Sequence, residues 1–316
     1  MSKDKKNTIA VVMATYNGEQ YLSEQLTSVL EQNNVDANIY CSDDNSTDKT
    51  FSILEKFKEQ HNNNIKVTKN SGLGGPSYNF INALKLLRDE EYIVFCDQDD
   101  VWLPNKMSSL VDYAEKHLNK SLPGLVYCDA FVVDHLLVSL SKTMYGDNHY
   151  TPFRFSDVLY LNGGVQGASM MINRRMADEI IRYNKYVYMH DQLATCIAIL
   201  YGNIFYLNQP LMLYRQHQNN VIGTNVGLRN KFKLFFLSSL INEKSYLFLK
   251  GFCDEYKDSK YISESKSTPI YLESNRTGGF SFFLKELFLG DATLHGYRGK
   301  LLIKIICKVI LMRLFK

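Results

Sequence analysis

Short apolar runs alternate with amphipathic stretches through the first hundred residues. Residues 9–14 read IAVVMA, an apolar run rich in β-branched side chains, which predicts a buried strand. Asn17-Gly18 marks a turn, and Leu22, Leu26, Val29 and Leu30 then recur at helical spacing. Residues 37–41 (ANIYC) predict a second strand, and 46–57 a helix with Phe51, Leu54 and Phe57 on one side. A third strand is expected over 65–68, a helix over 78–87 and a fourth strand over 92–96. Strands alternating with helices imply a parallel sheet flanked by helices. In such sheets ligands collect at the carboxyl ends of the strands. Three polar segments stand at those ends: Thr15-Tyr16-Asn17, Asp43-Asp44 and Asp97-Gln98-Asp99-Asp100.

The middle of the chain is mixed. Strands are expected over 125–134 and 165–173, helices over 175–183 and 191–200, and an extended segment over 204–214, broken at Pro210. From about residue 223 the pattern is helical and aromatic, as in KFKLFFLSSLINEKSYLFL. No internal repeat or low-complexity segment appears. Two domains are therefore expected, 1–222 and a helical 223–316, a division that 316 residues accommodate.

The net charge of +3 gives no bias toward nucleic acid, and none is expected as a partner. The distribution of charge says more. After Asp291 no acid remains, while Arg298, Lys300, Lys304, Lys308, Arg313 and Lys316 follow. Lys300, Lys304 and Lys308 share a helix face, with Leu301, Leu302, Ile305, Ile306, Val309 and Met312 on much of the rest. Such a basic amphipathic helix suits an anionic membrane surface, or packs on its own domain or on a second subunit in a homodimer. The six cysteines form no CxxC pair, which fits reduced thiols in a cytosolic protein. The N-terminus is too polar for a signal peptide, and no apolar run reaches the roughly 18 residues of a membrane span.

Asp97, Asp99 and Asp100 suit a hard divalent cation, Mg²⁺ or Mn²⁺. On spacing alone they equally suit a solvated turn capping the next helix, with Pro104 at its first position. Residues 44–55 imitate a calcium loop but carry Lys49 where that loop needs glycine. Ser46 or Asn45 capping a helix is the better reading. Gly72-Leu73-Gly74-Gly75 lacks the third glycine of a dinucleotide fingerprint, and neither a P-loop nor a GxSxG elbow occurs. His190-Asp191 and Arg215-x-His217 are lone features by themselves.

In order, TYNGEQYLSEQLTSVLEQ, SDDNSTDKT, CDQDDVWLPNK, QGASMM, HDQ and YRQHQNN resemble the family-2 glycosyltransferases over residues 7–222. Within that family the chain is most similar to bacterial rhamnosyltransferase-like enzymes. The resemblance implies an α/β GT-A fold with a mostly parallel central sheet and a helical C-terminal extension. It implies an inverting, metal-dependent glycosyltransferase of polysaccharide or capsule biosynthesis at the inner face of a bacterial membrane. The donor would be a nucleotide diphosphate sugar, with dTDP-rhamnose ahead of a UDP-hexose or UDP-N-acetylhexosamine. The acceptor would be a lipid-linked polysaccharide. A nucleotide-binding scaffold of a synthesis complex is the non-enzymatic alternative.

Carried over by position, Thr15, Tyr16 and Asn17 would line the nucleotide pocket. Asp43 would bind the pyrimidine with Asp44 nearby, and Asp97 would face ribose or sugar. Asp99 and His217 would hold the metal, with Arg215 at the diphosphate. Asp191 would be the catalytic base, and Gly163, Gly164, Gln166, Gly167 and His190 would shape the acceptor side. The chain departs from the pattern at Ser77-Tyr78-Asn79, where many relatives carry an arginine two before the asparagine.

Overall fold

In the computed structural model, residues 7–61, 64–146, 149–160, 164–217, 241–274, 280–294 and 296–314 are described. Gly163, residues 223–240 and the side chains of Lys308, Arg313 and Lys316 lie outside that description.

The strands of the first unit are β1 (Asn7–Thr15), β2 (Val35–Asp43), β3 (Ile65–Lys69), β4 (Tyr92–Cys96), β5 (Val101–Trp102), β6 (Leu125–Val133), β7 (Ser139–Thr143), β8 (Met170–Asn173) and β9 (Ile204–Arg215). Its helices are α1 (Leu22–Leu30), α2 (Thr50–Gln60), α3 (Pro76–Leu84), α4 (Lys106–His117), α5 (Arg174–Arg182) and α6 (His190–Tyr201). The sheet order is β3-β2-β1-β4-β8-β6-β9-β5, with β7 on β6. The first four strands are parallel, β8 runs antiparallel between β4 and β6, and β9 returns parallel to β6. The α/β class and the helix-flanked sheet read from the sequence hold.

Ile9, Val11 and Met13 are buried on one face of β1 and Ala10 and Val12 on the other. Helices therefore have to cover both sides, each buried Val or Ile contributing about 1.5–3 kcal/mol. Register then decides where the site forms. Thr15 pairs with Asp43, and Met13 with Cys96, so the segments after β1, β2 and β4 emerge together.

Several boundaries moved. The helix expected from residue 46 starts at Thr50, because Ser46 and Asp48 hold loop contacts, and Asp48 Oδ1 accepts the Thr50 N–H. α4 begins at Lys106 with Asn105 before it, so Pro104 is not its first residue. The strand expected over 165–173 is strand only from Met170, after a 3₁₀ turn at Gly167–Ser169. β9 runs through Pro210, where its register against β6 shifts between Cys128 and Asp129.

Two compact units form. One comprises the described residues of Met1–Asn148, Val165–Asn184 and Met189–His217. The other takes those of His149–Gly164, Lys185–Tyr188 and Gln218–Lys316. The second contains α7 (Glu243–Glu255), α8 (Lys260–Ser263), α9 (Ser267–Glu273), α10 (Phe280–Leu289) and α11 (Arg298–Leu314). Its buried polar centre is Glu286, which accepts from Tyr160 Oη, Ser267 Oγ and Arg298 at 2.8–3.1 Å.

Candidate functional site

After β1 the chain needs a left-handed residue, and Asn17 supplies it at φ +46°. Asn17 Oδ1 accepts the Thr47 N–H, while the Asn17 N–H donates to Ser46 Oγ, each at 2.9 Å. Tyr16 is 57% exposed, an open aromatic face at the carboxyl edge. Its backbone is latched twice by Gln98, whose Oε1 accepts the Tyr16 N–H and whose Nε2 donates to the Tyr16 carbonyl. Gly18 makes room for this latch, since a Cβ there would sit 2.2 Å from Gln98 Oε1.

The acids after β2 are turned inward. Asp43 is fully buried, and it accepts from Thr15 Oγ1 at 2.9 Å and from both the N–H and Oγ of Ser46. These three donors hold the Asp43 carboxylate in place behind the end of β1. Asp44 accepts from Asn70 Nδ2 and from the Gly75 N–H at 2.7 Å, pinning the glycine-rich loop. That loop turns at Gly75, φ +101°, before Pro76 opens α3.

After β4 the three acids part ways. Asp99 Oδ2 lies 2.9 Å from His217 Nε2. Asp97 is raised to about 7, by burial first and then by the charges of Asp99 and Asp191. Asp100 is 1% exposed, accepts the Arg215 N–H at 3.0 Å, and is held well above the usual carboxylate range chiefly by burial. It belongs beneath the site, not in it. The antiparallel pairing of β5 with β9, Val101 against Leu213, brings Arg215 and His217 beside this loop.

Arg215 packs into the protein. It is 2% exposed, and its guanidinium donates to the carbonyls of Asp99 and His135 and to Glu24, stacked 4.4 Å from the Tyr21 ring centroid. Through these contacts it clamps the acidic loop. Tyr21 also packs on His217, ring centroids 5.0 Å apart.

Asp191 sits in the first turn of α6, 6% exposed. Burial raises it to about 6, against N–H donors from Gln192 (2.7 Å, to Oδ1) and Gly167 (3.2 Å, to Oδ2). The Gly167 turn is held at Gln166, whose N–H donates to Tyr145 Oη at 3.1 Å. His190 does not face an open cleft: it stacks on Phe80 at 4.0 Å, and burial lowers it to about 3. A Cβ on Gly167 would stand 2.7 Å from His190 Nε2, so glycine there admits the ring. Gly164 falls in the second unit.

The first unit thus brings together Thr15, Tyr16, Asn17, Asp97, Asp99, His217, Asp191 and Gly167. Sequence reasoning missed Gln98, Glu24, Tyr21, Ser46 and Tyr145. Gln98, Tyr21, Glu24 and Ser46 each lie inside a segment that carries the family resemblance, which was their signal; Tyr145 had none. Among the described residues no group of three or more His, Cys, Asp or Glu forms a cage for an ion. Asp99 with His217, beside two acids of like charge, fits a cation that completes its shell with water and ligand oxygens. It does not fit a cation held by protein alone.

A parallel β3-β2-β1-β4 edge, an acidic loop after β4 and an antiparallel return through β8 define a glycosyltransferase of the GT-A fold. The model of the family described as Glycosyl transferase family 2 matches residues 10–181, more than half of the chain, and the chain belongs to that family. It is similar to the dTDP-rhamnosyl transferase RfbG of Shigella flexneri, 29% identical over 238 residues, covering 70% of this chain and 77% of the relative. It also resembles the poly(ribitol-phosphate) beta-glucosyltransferase of Bacillus spizizenii, 36% identical over 94 residues, which is 29% of this chain and 15% of that protein. Among solved structures, S. aureus TarS 1–349 in complex with UDP-GlcNAc aligns at TM-score 0.55 and 19% identity, covering 98% of this chain and 92% of that one. The mannosyltransferase PcManGT from Pyrobaculum calidifontis, in complex with GDP-Man and Mn²⁺, aligns at TM-score 0.55 and 14% identity, covering 96% and 74%.

Proposed function

We propose that this glycosyltransferase is an inverting, metal-dependent enzyme of cell-surface polysaccharide synthesis. It moves rhamnose from dTDP-rhamnose to a hydroxyl of a lipid-linked chain. The observation that carries the reading is the meeting of Asp99 with His217 at 2.9 Å in the loop after β4, with Asp191 held by the Gly167 N–H at the start of α6. Likeness to a dTDP-rhamnosyl transferase supports the donor. A UDP-hexose or UDP-N-acetylhexosamine is the alternative, supported by the fold shared with a UDP-GlcNAc complex.

Thr15, Tyr16 and Asn17 line the nucleotide pocket, with Asp43 and Asp44 setting its walls from behind. Asp97 faces the ribose or sugar. Asp99 and His217 would hold the divalent cation, which supplies charge neutralisation for the departing diphosphate. Asp191 accepts the proton of the acceptor hydroxyl as that oxygen attacks C1, and one in-line displacement inverts the anomeric centre. A base titrating at about 6 is ionised at neutral pH yet near enough to it for efficient proton transfer.

The second unit carries the lipid-facing surface. α11 buries Leu301 and Ile305, while Ile303 (61%) and Ile306 (44%) are exposed, as is Lys300. On α10, Phe288 and Leu289 are exposed as well. Among the described residues no helix is long and apolar enough to cross a membrane. The enzyme works in the cytoplasm against the inner leaflet.

The test is a panel of dTDP-rhamnose, UDP-glucose and UDP-GlcNAc with a lipid-linked acceptor, scored by product mass. Wild type is expected to add a deoxyhexose, with the rate falling as pH drops through about 6, where Asp191 protonates. Asp191→Asn is expected to keep donor binding and lose roughly 10²–10⁴-fold in turnover. Near-normal turnover of that variant removes Asp191 from the mechanism. Transfer of a UDP-sugar alone replaces the donor, and no transfer from any donor defeats the reading.

A further inference from the structure

Lys106 is fully buried on the first turn of α4. An ammonium withdrawn from water costs several kcal/mol unless its surroundings compensate, so this lysine needs a reason. Its Nζ donates to the Ala168 carbonyl at 2.6 Å. It lies 3.2 Å from Met212 Sδ and 3.9 Å from the Trp102 ring centroid. Its firmest polar contact is therefore a backbone carbonyl on a distant segment.

That carbonyl belongs to the 3₁₀ turn at Gly167–Ser169. One residue earlier in the same turn, the Gly167 N–H donates to Asp191 Oδ2. Tyr145 fixes the two ends of the turn, its Oη accepting the Gln166 N–H and lying 3.2 Å from Ser169 Oγ. The middle is fixed by Lys106. On the other side, Trp102 and Met212 are a paired position of β5 and β9, the pairing that sets Arg215 and His217 beside Asp99. Lys106 thus touches the frame of the Asp99 loop and the frame of Asp191 at once.

We propose that Lys106 is a positioning residue that ties the acidic loop of the donor side to the turn holding Asp191, keeping the two halves of the site at one spacing. This rests on the glycosyltransfer reading above. The consequence is specific: loss of Lys106 lets the base drift from the reacting hydroxyl while the pocket walls, built on β1 and β2, still bind donor. A displacement near an ångström costs about 100-fold in rate.

The experiment is steady-state nucleotide release by the full chain, using whichever of dTDP-rhamnose, UDP-glucose or UDP-GlcNAc the wild type turns over, with Tm measured alongside. Lys106→Met keeps the length of the stem and removes the ammonium. Removing a buried cation alone leaves the Ala168 carbonyl without its donor, so some loss of stability accompanies the change. The expected result is a kcat lowered roughly 10–100-fold, a KM within about threefold and a lowered Tm that still lies well above the assay temperature. Lys106→Gln, which keeps an N–H donor for the Ala168 carbonyl, is expected to recover part of that kcat. An unchanged kcat, a loss confined to KM, or a kcat loss with no recovery in Lys106→Gln overturns the proposal. So does failure of both variants to fold, which would make Lys106 scaffold only. A wild type that releases nucleotide from no donor defeats the transfer reading itself, a different failure.

Discussion

Arg215 shows how much one side chain decides. It reaches the backbone of the acidic loop through the Asp99 carbonyl, the segment after β6 through the His135 carbonyl, and α1 through Glu24. A planar guanidinium can serve three directions at once, and an ammonium cannot. Arg215→Lys is therefore expected to cost about 2 kcal/mol and to lower Tm by roughly 4–8 °C, with donor affinity changed only slightly. If the arginine instead touched diphosphate, the same substitution would weaken donor binding sharply and leave Tm where it was; parallel thermal melts and nucleotide titrations separate the two. Lysine and arginine in a motif read from sequence as surface charge or ligand contact. Here both Lys106 and Arg215 are buried and face protein, which only the packing of β9 against β5 and β6 reveals.

Elements with strong apolar runs were legible. β1, β2, β3 and β4 sit where their hydrophobic runs place them, because a strand buried on both faces leaves an unambiguous signature. β5 was not, since two residues are too few to carry a period. The start of α2 was misjudged because Ser46 and Asp48 can cap a helix or hold a loop, and the partners that decide, Asn17 and the Glu19 N–H, come from after β1. The site was legible as three acidic or polar segments at strand ends; the inward turn of Asp43 and Asp100 was not, since burial of a carboxylate is a tertiary fact. α11 carries a prediction of its own. Flotation with phosphatidylglycerol liposomes is expected to retain wild type and to lose Ile303→Asp/Ile306→Asp, with phosphatidylcholine retaining neither strongly. Equal binding of wild type and the double variant to the anionic liposomes would remove this face from the membrane reading.

At the scale of the whole molecule, parallel register is what turns separate loops into one site. Thr15 opposite Asp43 and Met13 opposite Cys96 bring the ends of β1, β2 and β4 to one edge, and β9 delivers His217 to the same place. The sheet thus gathers acids at one edge, and under the proposed function a cation with a phosphate-bearing partner would answer their charge. The direct measurement is calorimetry of dTDP and UDP binding, with and without Mn²⁺, to wild type and Asp99→Ala. Mn²⁺ is expected to tighten wild-type binding by roughly tenfold or more, about 1.4 kcal/mol, and to do nothing for the variant. Equal Mn²⁺ enhancement in both proteins, or none in either, would contradict the proposed function.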